Sequence, residues 1–330
     1  MTNFSALRSV ALLALASSLA AQTNQEAARR LDSLFASYNA RTPGAAVAVV
    51  KDGEVVFSKG YGMADLGHDI PITTRTVFNI ASVSKQFTAF AIYLLESEGR
   101  ISFEDDVRKY IPELPDYGAV IKVRHLLAHT SGLRDQAAMM SLAGWRPGDV
   151  QTTEQIMRLV AKQKGLNFTP GSAFNYSNTG YTLLAEIIRR ATGTPFSAYV
   201  GQKIFAPLGM TSTRVQTNHE EIVRHAAESY ERINGRYYRQ PLNEANAGPS
   251  NVLTTVEDLA KWVLNFERPS VGTSQLIRAF NEPSRLDNGA KVVLRVVDGD
   301  TILHAKGQNV SSYKGVTNIS HGGHAGSFRT

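Results

Sequence analysis

The order of strand-like and helix-like segments restricts the fold more than any other feature. Two runs rich in β-branched residues, "GAAVAVV" and "EVVFSKGYG", flank an Asp52-Gly53 turn, which predicts a β-hairpin. Apolar residues at helical spacing dominate the middle of the chain. There, "VRHLLAHTSGL" predicts a short helix closed by Gly132, and Thr152 and Gln155 have the capping-box spacing of a helix start. Strand-like runs return in "KVVLRVV-DGD-TILHA" and near "GVTNISHGG". This order predicts an α/β (α+β) fold, with an antiparallel sheet, flanking helices and a mostly helical insert.

The chain is long enough to bury one large core, since 43% of its 330 residues are hydrophobic. We expect a single domain over residues 22–330. Residues 25–81 and about 285–330 would form its α/β part, and residues about 100–265 its mostly helical part.

The first 21 residues have the layout of a secretory signal peptide. Arg8 precedes an apolar run from Val10 to Leu19, and cleavage is expected after Ala20 or Ala21. The run is too short to span a bilayer, and no later segment approaches 18 uninterrupted apolar residues. The chain has no cysteine, hence neither a lipid-anchor cysteine nor a disulfide framework. The sequence therefore predicts a secreted or periplasmic protein without a stable membrane span.

The charge distribution argues against a nucleic-acid partner. The formal net charge is +6, but Lys and Arg are not clustered into a basic face interleaved with aromatic residues. We therefore expect a small-molecule or peptide substrate, and the sequence makes no prediction of the oligomeric state.

Ser82 and Lys85, in "ASVSK", stand where a short apolar run meets a helical pattern. From Val83 to Glu98 the chain contains neither Gly nor Pro, keeps one face apolar, and stops at Gly99. Residues i and i+3 share a helix face, so Lys85 can approach the Ser82 hydroxyl. A partly desolvated lysine can lose its proton and act as a base. The pair is thus a candidate nucleophile and base.

The spacing alone is a weak signal, because roughly one S-x-x-K is expected by chance in a chain of this length. A second pair, Ser311 and Lys314, lies close to Gly315 among β-branched residues, where a strand or turn would separate the two side chains. Ser82, in contrast, stands at a helix N-terminus, whose unpaired N–H groups favour negative charge. The context favours Ser82.

Two further stretches carry residues that a loop can present to a cleft. Tyr176 and Asn178 follow a Pro-Gly turn and precede a helical pattern. Alone, they have a local explanation in which Asn178 caps the helix and Tyr176 packs into the core. Near the C-terminus, "HGG" (residues 321–323) follows a strand-like run. Adjacent glycines permit the close approach of another backbone, although a plain Gly-rich turn has the same pattern.

Taken in order, these stretches resemble the serine β-lactamase and penicillin-binding superfamily, whose motifs are S-x-x-K, S-D-N and K-T-G. The Tyr-x-Asn and His-x-Gly forms resemble its class C-related branch of β-lactamases, D-Ala-D-Ala carboxypeptidases, D-aminopeptidases and esterases. "GAAVAVVKDGEVVFSKGYGMAD", "VRHLLAHTSGL", "FTPGSAFNYSNTGY" and "PLGMTST" extend the resemblance from about Thr42 to the C-terminus. It implies a β-lactamase/transpeptidase-like fold.

The resemblance implies three catalytic residues. Ser82 matches the acylated nucleophile, and Lys85 matches the residue that accepts or relays its proton. Tyr176 matches the tyrosine that, as a phenolate or through Lys85, assists proton transfer to the leaving group. Acylation followed by attack of water divides one difficult step into two easier ones.

The resemblance also implies binding residues, and no cofactor or metal. The backbone N–H groups of Ser82 and His324 would form an oxyanion hole. Asn178 would hold the substrate amide or Lys85, and His321 would take the place of the K-T-G lysine. The substrate-binding residues are therefore expected to be Asn178, His321, Gly322 and Gly323.

Two departures from the family pattern modify the expected activity. Histidine in place of lysine at position 321 is a weaker or pH-dependent cation for a substrate carboxylate. We therefore expect an esterase or D-amino-acid peptidase before an efficient β-lactamase. Only residues 324–330 follow Gly323, so the resemblance predicts that C-terminal strands and a helix are missing and that a sheet edge is unpaired. The alternative is a non-catalytic penicillin-binding or sensor-like homologue.

The sequence disfavours two other enzyme classes. His125 and His129 lie four residues apart in "HLLAH", a spacing open to metal binding, and His321 and His324 form a second pair. Leu126 replaces the glutamate of H-E-x-x-H, however, so packing or local hydrogen bonding is the better explanation. An α/β-hydrolase is disfavoured because no G-x-S-x-G occurs.

Overall fold

The computed structural model describes residues 25–146 and 148–330, so the predicted signal peptide, residues 1–21, lies outside the described residues. A helix, α1 (residues 25–34), leads to an antiparallel hairpin of β1 (Ala45–Lys51) and β2 (Glu54–Tyr61). Asp52 and Gly53 at its turn have φ values of 54° and 78°, in the left-handed region that such a turn requires. The predicted hairpin is confirmed.

The helix predicted from Val83 to Glu98 is also confirmed. It forms α2 (Ser84–Ser97), preceded by a 3₁₀ turn, Ala81–Val83. The helix is central to the core, since it contacts helices on several sides and buries almost every residue up to Leu95. Phe90, for example, packs against Trp262 and Phe280 with ring centroids 5.1 and 5.3 Å apart. These contacts fix the helix that carries Lys85.

The remaining helices lie in the middle and later parts of the chain. They are α3 (Val123–Leu127), α4 (Gln136–Leu142), α5 (Thr153–Val160), α6 (Asn178–Thr192), α7 (Phe196–Val200), α8 (Val256–Glu267) and α9 (Ser274–Asn281). Helix α6 packs against α2 and α3. Across residues 25–146 and 148–330, no helix is long and apolar enough to cross a membrane.

Local signals explain where several helices begin and end. At α5, the Thr152 hydroxyl accepts from the Gln155 N–H at 3.2 Å, and the Gln155 side chain accepts from the Thr152 N–H at 2.8 Å. Helix α6 ends at Gly193, which has a φ of 71°. Helix α3 was expected to run to Gly132 but ends at Leu127, because His129 adopts a left-handed φ of 56°. Residues 129–132 form a loop instead.

Short strands, paired in small sheets, lie between the hairpin and α8 along the chain. They are β3 (Met63–Asp65), β4 (Ile70–Pro71), β5 (Phe78–Asn79), β6 (Gln151–Thr152), β7 (Arg214–Val215), β8 (Tyr230–Ile233), β9 (Arg236–Arg239), β10 (Glu244–Ala245) and β11 (Val252–Thr254). Strand β11 pairs antiparallel with β5 on one side and β7 on the other. This places β11 beside the turn that carries Ser82.

The C-terminal part is a four-stranded antiparallel sheet followed by a small hairpin. The sheet contains β12 (Val293–Val297), β13 (Asp300–Ala305), β14 (Gln308–Tyr313) and β15 (Val316–Ser320), in that order. Ser311 lies in β14 and Lys314 in the turn after it, so the second S-x-x-K is not on a helix, as predicted.

The small hairpin consists of β16 (His324–Ala325) and β17 (Phe328–Arg329). His321, Gly322 and Gly323 lie in the connection between β15 and β16 rather than within a strand. Strand β16 pairs with β17 in a two-stranded sheet, so the other edge of β16 has no strand partner among the described residues. The chain leaves one sheet and enters another at this point, and the two glycines lie where it turns.

Candidate active site

Ser82 occupies a sharp turn between β5 and α2. Ala81, directly before it, has a left-handed φ of 48°, which is uncommon for a residue with a side chain. Its N–H donates to Asn79 Oδ1 at 2.8 Å, and Asn79 Nδ2 donates to Asn251 Oδ1 at 3.3 Å. Because these buried bonds hold the strained residue in place, the turn presents Ser82, which is half-buried, at the start of the helix.

Lys85 lies one helical turn beyond Ser82, as its spacing predicts. Its side chain has no solvent exposure. Nζ lies 3.1 Å from Ser82 Oγ, and it donates to Asn178 Oδ1 and to the Pro249 carbonyl, both at 2.8 Å. The structure therefore brings the serine and the lysine into hydrogen-bond contact.

The environment of Lys85 favours its neutral form more than water does. Burial lowers its pKa from the usual 10.5 to about 7, and nearby Asp135 and Glu244 counteract part of that shift. A lysine with this pKa is uncharged in a large fraction of molecules at neutral pH. It can therefore accept a proton from the Ser82 hydroxyl.

Tyr176 lies in the loop before α6, and its ring contacts the same lysine. Its ring centroid lies 4.9 Å from Lys85 Nζ. Burial raises the pKa of Tyr176 to about 12, although a hydrogen bond with Ser82 counteracts the shift. The phenol is therefore protonated at neutral pH. Of the two roles left open by the sequence, proton transfer through Lys85 fits this pKa better than a standing phenolate.

Asn178 is the first residue of α6, but its side chain does not cap that helix. Its Oδ1 accepts from Lys85, and its backbone N–H donates to Asp135 Oδ2 at 2.6 Å. Asp135 also accepts the Ala137 N–H at 2.9 Å, which caps α4. The local explanation for Asn178 is therefore wrong, and Asp135 is a positioning group that the sequence reasoning missed.

His321 lies near Lys85 and is half-buried. Burial and the Lys85 charge lower its pKa to about 4, so the ring is neutral at neutral pH. Nδ1 lies 2.6 Å from the Gly322 carbonyl oxygen. Because that oxygen only accepts, Nδ1 carries the proton and Nε2 is an acceptor. Position 321 thus supplies no cation for a substrate carboxylate at neutral pH.

The connection after His321 packs against the turn before Ser82. A Cβ added to Gly323 would lie 2.5 Å from the Ile80 carbonyl oxygen. Gly323 exchanges backbone hydrogen bonds with Thr330 at 2.9 and 3.1 Å. Alternation along the antiparallel pair then directs the His324 N–H away from β17, where it is free of that strand. The predicted oxyanion-hole donor is therefore not used within the hairpin.

The first pair of histidines with a spacing open to metal binding, His125 and His129, has separate partners. His125 Nε2 lies 3.1 Å from Asp287 Oδ1, whereas His129 Nδ1 accepts from the Ser177 N–H at 3.1 Å. The His129 ring instead packs against Tyr176, with centroids 4.3 Å apart. Within the described ranges, no three His, Asp or Glu side chains gather as metal ligands.

Comparison with known proteins identifies the family. The model of the family described as β-lactamase matches residues 31–330. The chain belongs to the β-lactamase family. The resemblance inferred from the three motifs is confirmed, and so is the β-lactamase/transpeptidase-like fold.

Relatives of this β-lactamase-family chain include hydrolases with D-specific names. The chain is 32% identical over 253 residues to a D-aminopeptidase from Brucella anthropi. The match covers 76% of this chain and 48% of that protein. The chain spans less than half the length of the curated relatives it matches first.

Solved structures of the same family superpose on most of the chain. An octameric penicillin-binding protein homologue from Pyrococcus abyssi has a TM-score of 0.78 at 27% identity, covering 94% of this chain and 69% of that chain. A D-amino acid amidase from Ochrobactrum anthropi SV3 has a TM-score of 0.67 at 26% identity, covering 84% of this chain and 78% of that chain.

Proposed function

We propose that this chain is a serine hydrolase that cleaves ester or amide bonds through an acyl-enzyme on Ser82. The observation that carries the proposal is the contact of 3.1 Å between Ser82 Oγ and a fully buried Lys85 whose pKa is lowered to about 7. A neutral amine in that position converts a weak hydroxyl nucleophile into an effective one. Membership of the β-lactamase family supports this assignment.

The proposed reaction proceeds in two halves. Ser82 Oγ bonds to the substrate carbonyl carbon as its proton passes to Lys85, and the backbone N–H groups of Ser82 and His324 stabilise the resulting oxyanion. The bond to the leaving group breaks as Tyr176 gives it a proton, and Lys85 returns its own proton to the phenol. Water then attacks the acyl carbon and gives a proton to Lys85. The ester bond to Ser82 breaks as Lys85 passes that proton to Oγ, and the acid product departs.

We propose esters and amides of D-amino acids as the substrate class. A neutral His321 offers no fixed positive charge to a substrate carboxylate, which disfavours efficient turnover of β-lactams and other carboxylate-bearing substrates. The names of two relatives, a D-aminopeptidase and a D-amino acid amidase, support the same class.

Intact mass spectrometry tests the nucleophile directly. The folded protein is exposed to a fluorophosphonate and to a labelled penicillin, and we expect a covalent adduct that disappears in Ser82→Ala. The absence of any adduct, or an adduct that persists in Ser82→Ala, would refute the proposal. Turnover of D-alanyl amides, p-nitrophenyl esters and nitrocefin then ranks the substrate classes.

We also propose export through a cleaved signal peptide, on the basis of Arg8, the apolar run after it and Ala20-Ala21. Expression of the full chain in a bacterium, followed by N-terminal sequencing of the extracytoplasmic fraction, tests this proposal. A mature N-terminus after Ala20 or Ala21 is expected. Full-length protein confined to the cytoplasm would refute it.

A further inference from the structure

The loop formed by residues 129–132 accepts backbone hydrogen bonds from the loop that carries Tyr176. We call residues 129–132 the template and residues 167–177 the tyrosine loop. Three N–H groups of the tyrosine loop, four residues apart, donate to three carbonyls of the template. The bonds run from Asn167 to Gly132 (2.8 Å), from Gly171 to Thr130 (2.8 Å) and from Asn175 to His129 (3.0 Å). The two loops are therefore held together from residue 167 up to the tyrosine.

His129 is the template residue whose ring packs against Tyr176. Its side chain is 1% exposed, and its Nδ1 accepts from the Ser177 N–H at 3.1 Å. Because its carbonyl accepts from Asn175, His129 holds the backbone on both sides of Tyr176. The tyrosine ring itself lies 4.3 Å from the His129 ring, with an angle of 32° between the planes.

The charge state of His129 suits this position. Burial, together with the neighbouring His304, Lys85 and His321, lowers the pKa of His129 well below its usual value. The ring is therefore neutral, and since Nδ1 accepts an N–H, its proton lies on Nε2. A neutral ring packs against Tyr176 without adding a positive charge beside Lys85.

We propose that His129 is a positioning residue for Tyr176, whose phenol it holds in place through ring packing and two hydrogen bonds. The inference rests on the proposed function, in which Tyr176 delivers a proton to the leaving group. It has a specific consequence. A displaced phenol slows the departure of groups that need a proton, and has little effect on groups that leave as stable anions.

The test compares two substrates with the same acyl group, D-alaninamide and the p-nitrophenyl ester of D-alanine, in the full chain. His129→Asn removes the ring, and asparagine tolerates the left-handed backbone at this position. We expect kcat for the amide to fall by roughly 10- to 100-fold, with KM changed by less than about two-fold. The burst rate of p-nitrophenolate release from the ester should fall by less than about three-fold.

Two further variants separate positioning from general damage. His125→Asn is the same change four residues earlier in a buried histidine that contacts Asp287 and not Tyr176. We expect it to reduce both rates equally. His129→Phe keeps the ring packing and removes only the bond to Ser177, so its amide rate should lie between those of wild type and His129→Asn. Should His129→Asn fail to fold, the amide-to-ester ratio of His129→Phe decides the question.

Equal losses on the two substrates in the folded His129 variants would overturn the inference. If wild type shows neither turnover nor a Ser82 adduct, the proposed function fails instead. The crystal structure of His129→Asn (or of His129→Phe, if only that variant folds) then decides the inference independently. A displaced Tyr176 ring supports positioning by His129, and an unmoved ring overturns it.

Discussion

Gly323 lies so close to Ile80 that a Cβ added to the glycine would be 2.5 Å from the Ile80 carbonyl oxygen. Ile80 cannot give way freely. Its N–H donates to the Val252 carbonyl at 3.1 Å, and its own carbonyl accepts from the Val83 N–H at 3.1 Å. The contact therefore fixes the distance between the turn that carries Ser82 and the strand that begins at His324. These two segments carry the N–H donors of the proposed oxyanion hole, those of Ser82 and His324.

Gly323→Ala should consequently reduce acylation of Ser82 strongly. The added methyl group forces the two backbones apart, and displacement of one oxyanion-hole donor costs roughly 10²- to 10³-fold in kcat. Gly322→Ala is the matched control, because a Cβ there has the Thr330 oxygen as its nearest neighbour, at 3.6 Å. Fluorophosphonate labelling rates of the two variants measure the difference. Equal labelling of both variants would contradict the proposed geometry.

Lys85→Arg tests whether the lysine must lose its proton. Arginine retains a positive charge and hydrogen-bond donors, but it does not deprotonate in proteins. We expect the rate of Ser82 acylation to fall by at least about 100-fold, as for the loss of a general base. Circular dichroism should confirm that the variant is folded. A folded Lys85→Arg that is acylated at the wild-type rate would exclude the lysine as proton acceptor.

The pH profile provides a second test of Lys85. The pKa of about 7 predicts that kcat/KM rises as the pH increases through 7, because only the neutral amine accepts the serine proton. Asn178→Asp places a carboxylate 2.8 Å from Nζ, which stabilises the charged amine and should move the rise to higher pH by about one unit or more.

Glu244→Gln should shift the pH profile in the opposite direction to Asn178→Asp. Glu244 raises the pKa of Lys85, so its neutralisation should move the rise in kcat/KM to lower pH. Unchanged profiles in both variants would show that another group controls the rise.

The capping box at α5 gives a prediction about stability alone. Thr152→Ala removes the side-chain acceptor for the Gln155 N–H and should lower the free energy of unfolding by about 1 kcal/mol. Urea denaturation measures this loss, and Thr152→Ser, which keeps the hydroxyl, should show much less of it. An effect on kcat comparable to that of Lys85→Arg would indicate a coupling to the site that the contacts do not show.

The features predicted correctly from the sequence are those in which the signal and the structure are close together in the chain. The hairpin follows from an Asp-Gly turn between two β-rich runs, α5 from residues 152 and 155, and the contact of Lys85 with Ser82 from their helical spacing. In each case the residues that carry the signal lie within a few positions of one another. The pattern then contains most of the information that determines the geometry.

The properties of the site depend on contacts between distant parts of the chain, which no local pattern reveals. The pKa of Lys85 is determined by burial and by Asp135 and Glu244, and its third hydrogen-bond acceptor is the Pro249 carbonyl. The expected helix through Gly132 was wrong because the left-handed conformation of His129 ends it. That conformation is stabilised by bonds to residues 175 and 177, more than 40 positions away.

His304 on β13 leads to a last prediction, about stability in acid. Its ring is 1% exposed, and neither ring nitrogen has a hydrogen-bond partner among the described residues. Burial and the nearby His321, Lys306 and Lys85 lower its pKa to about 3, against 6.5 in an unfolded chain. Between these two values the unfolded chain binds a proton that the folded chain does not. The free energy of unfolding should therefore decrease as the pH falls from 6.5 towards 3.

His304→Phe removes this proton-binding difference while keeping an aromatic ring in the core. At pH 7 we expect stability to be maintained or increased, because two unpartnered ring nitrogens are replaced by apolar atoms. Between pH 6.5 and 4 the loss of stability should be shallower than in wild type, by up to about 1.4 kcal/mol per pH unit. The buried His129 retains its own contribution, so the slope should not vanish. Urea denaturation at several pH values measures both effects, and parallel curves for wild type and variant would show that His304 does not titrate on unfolding.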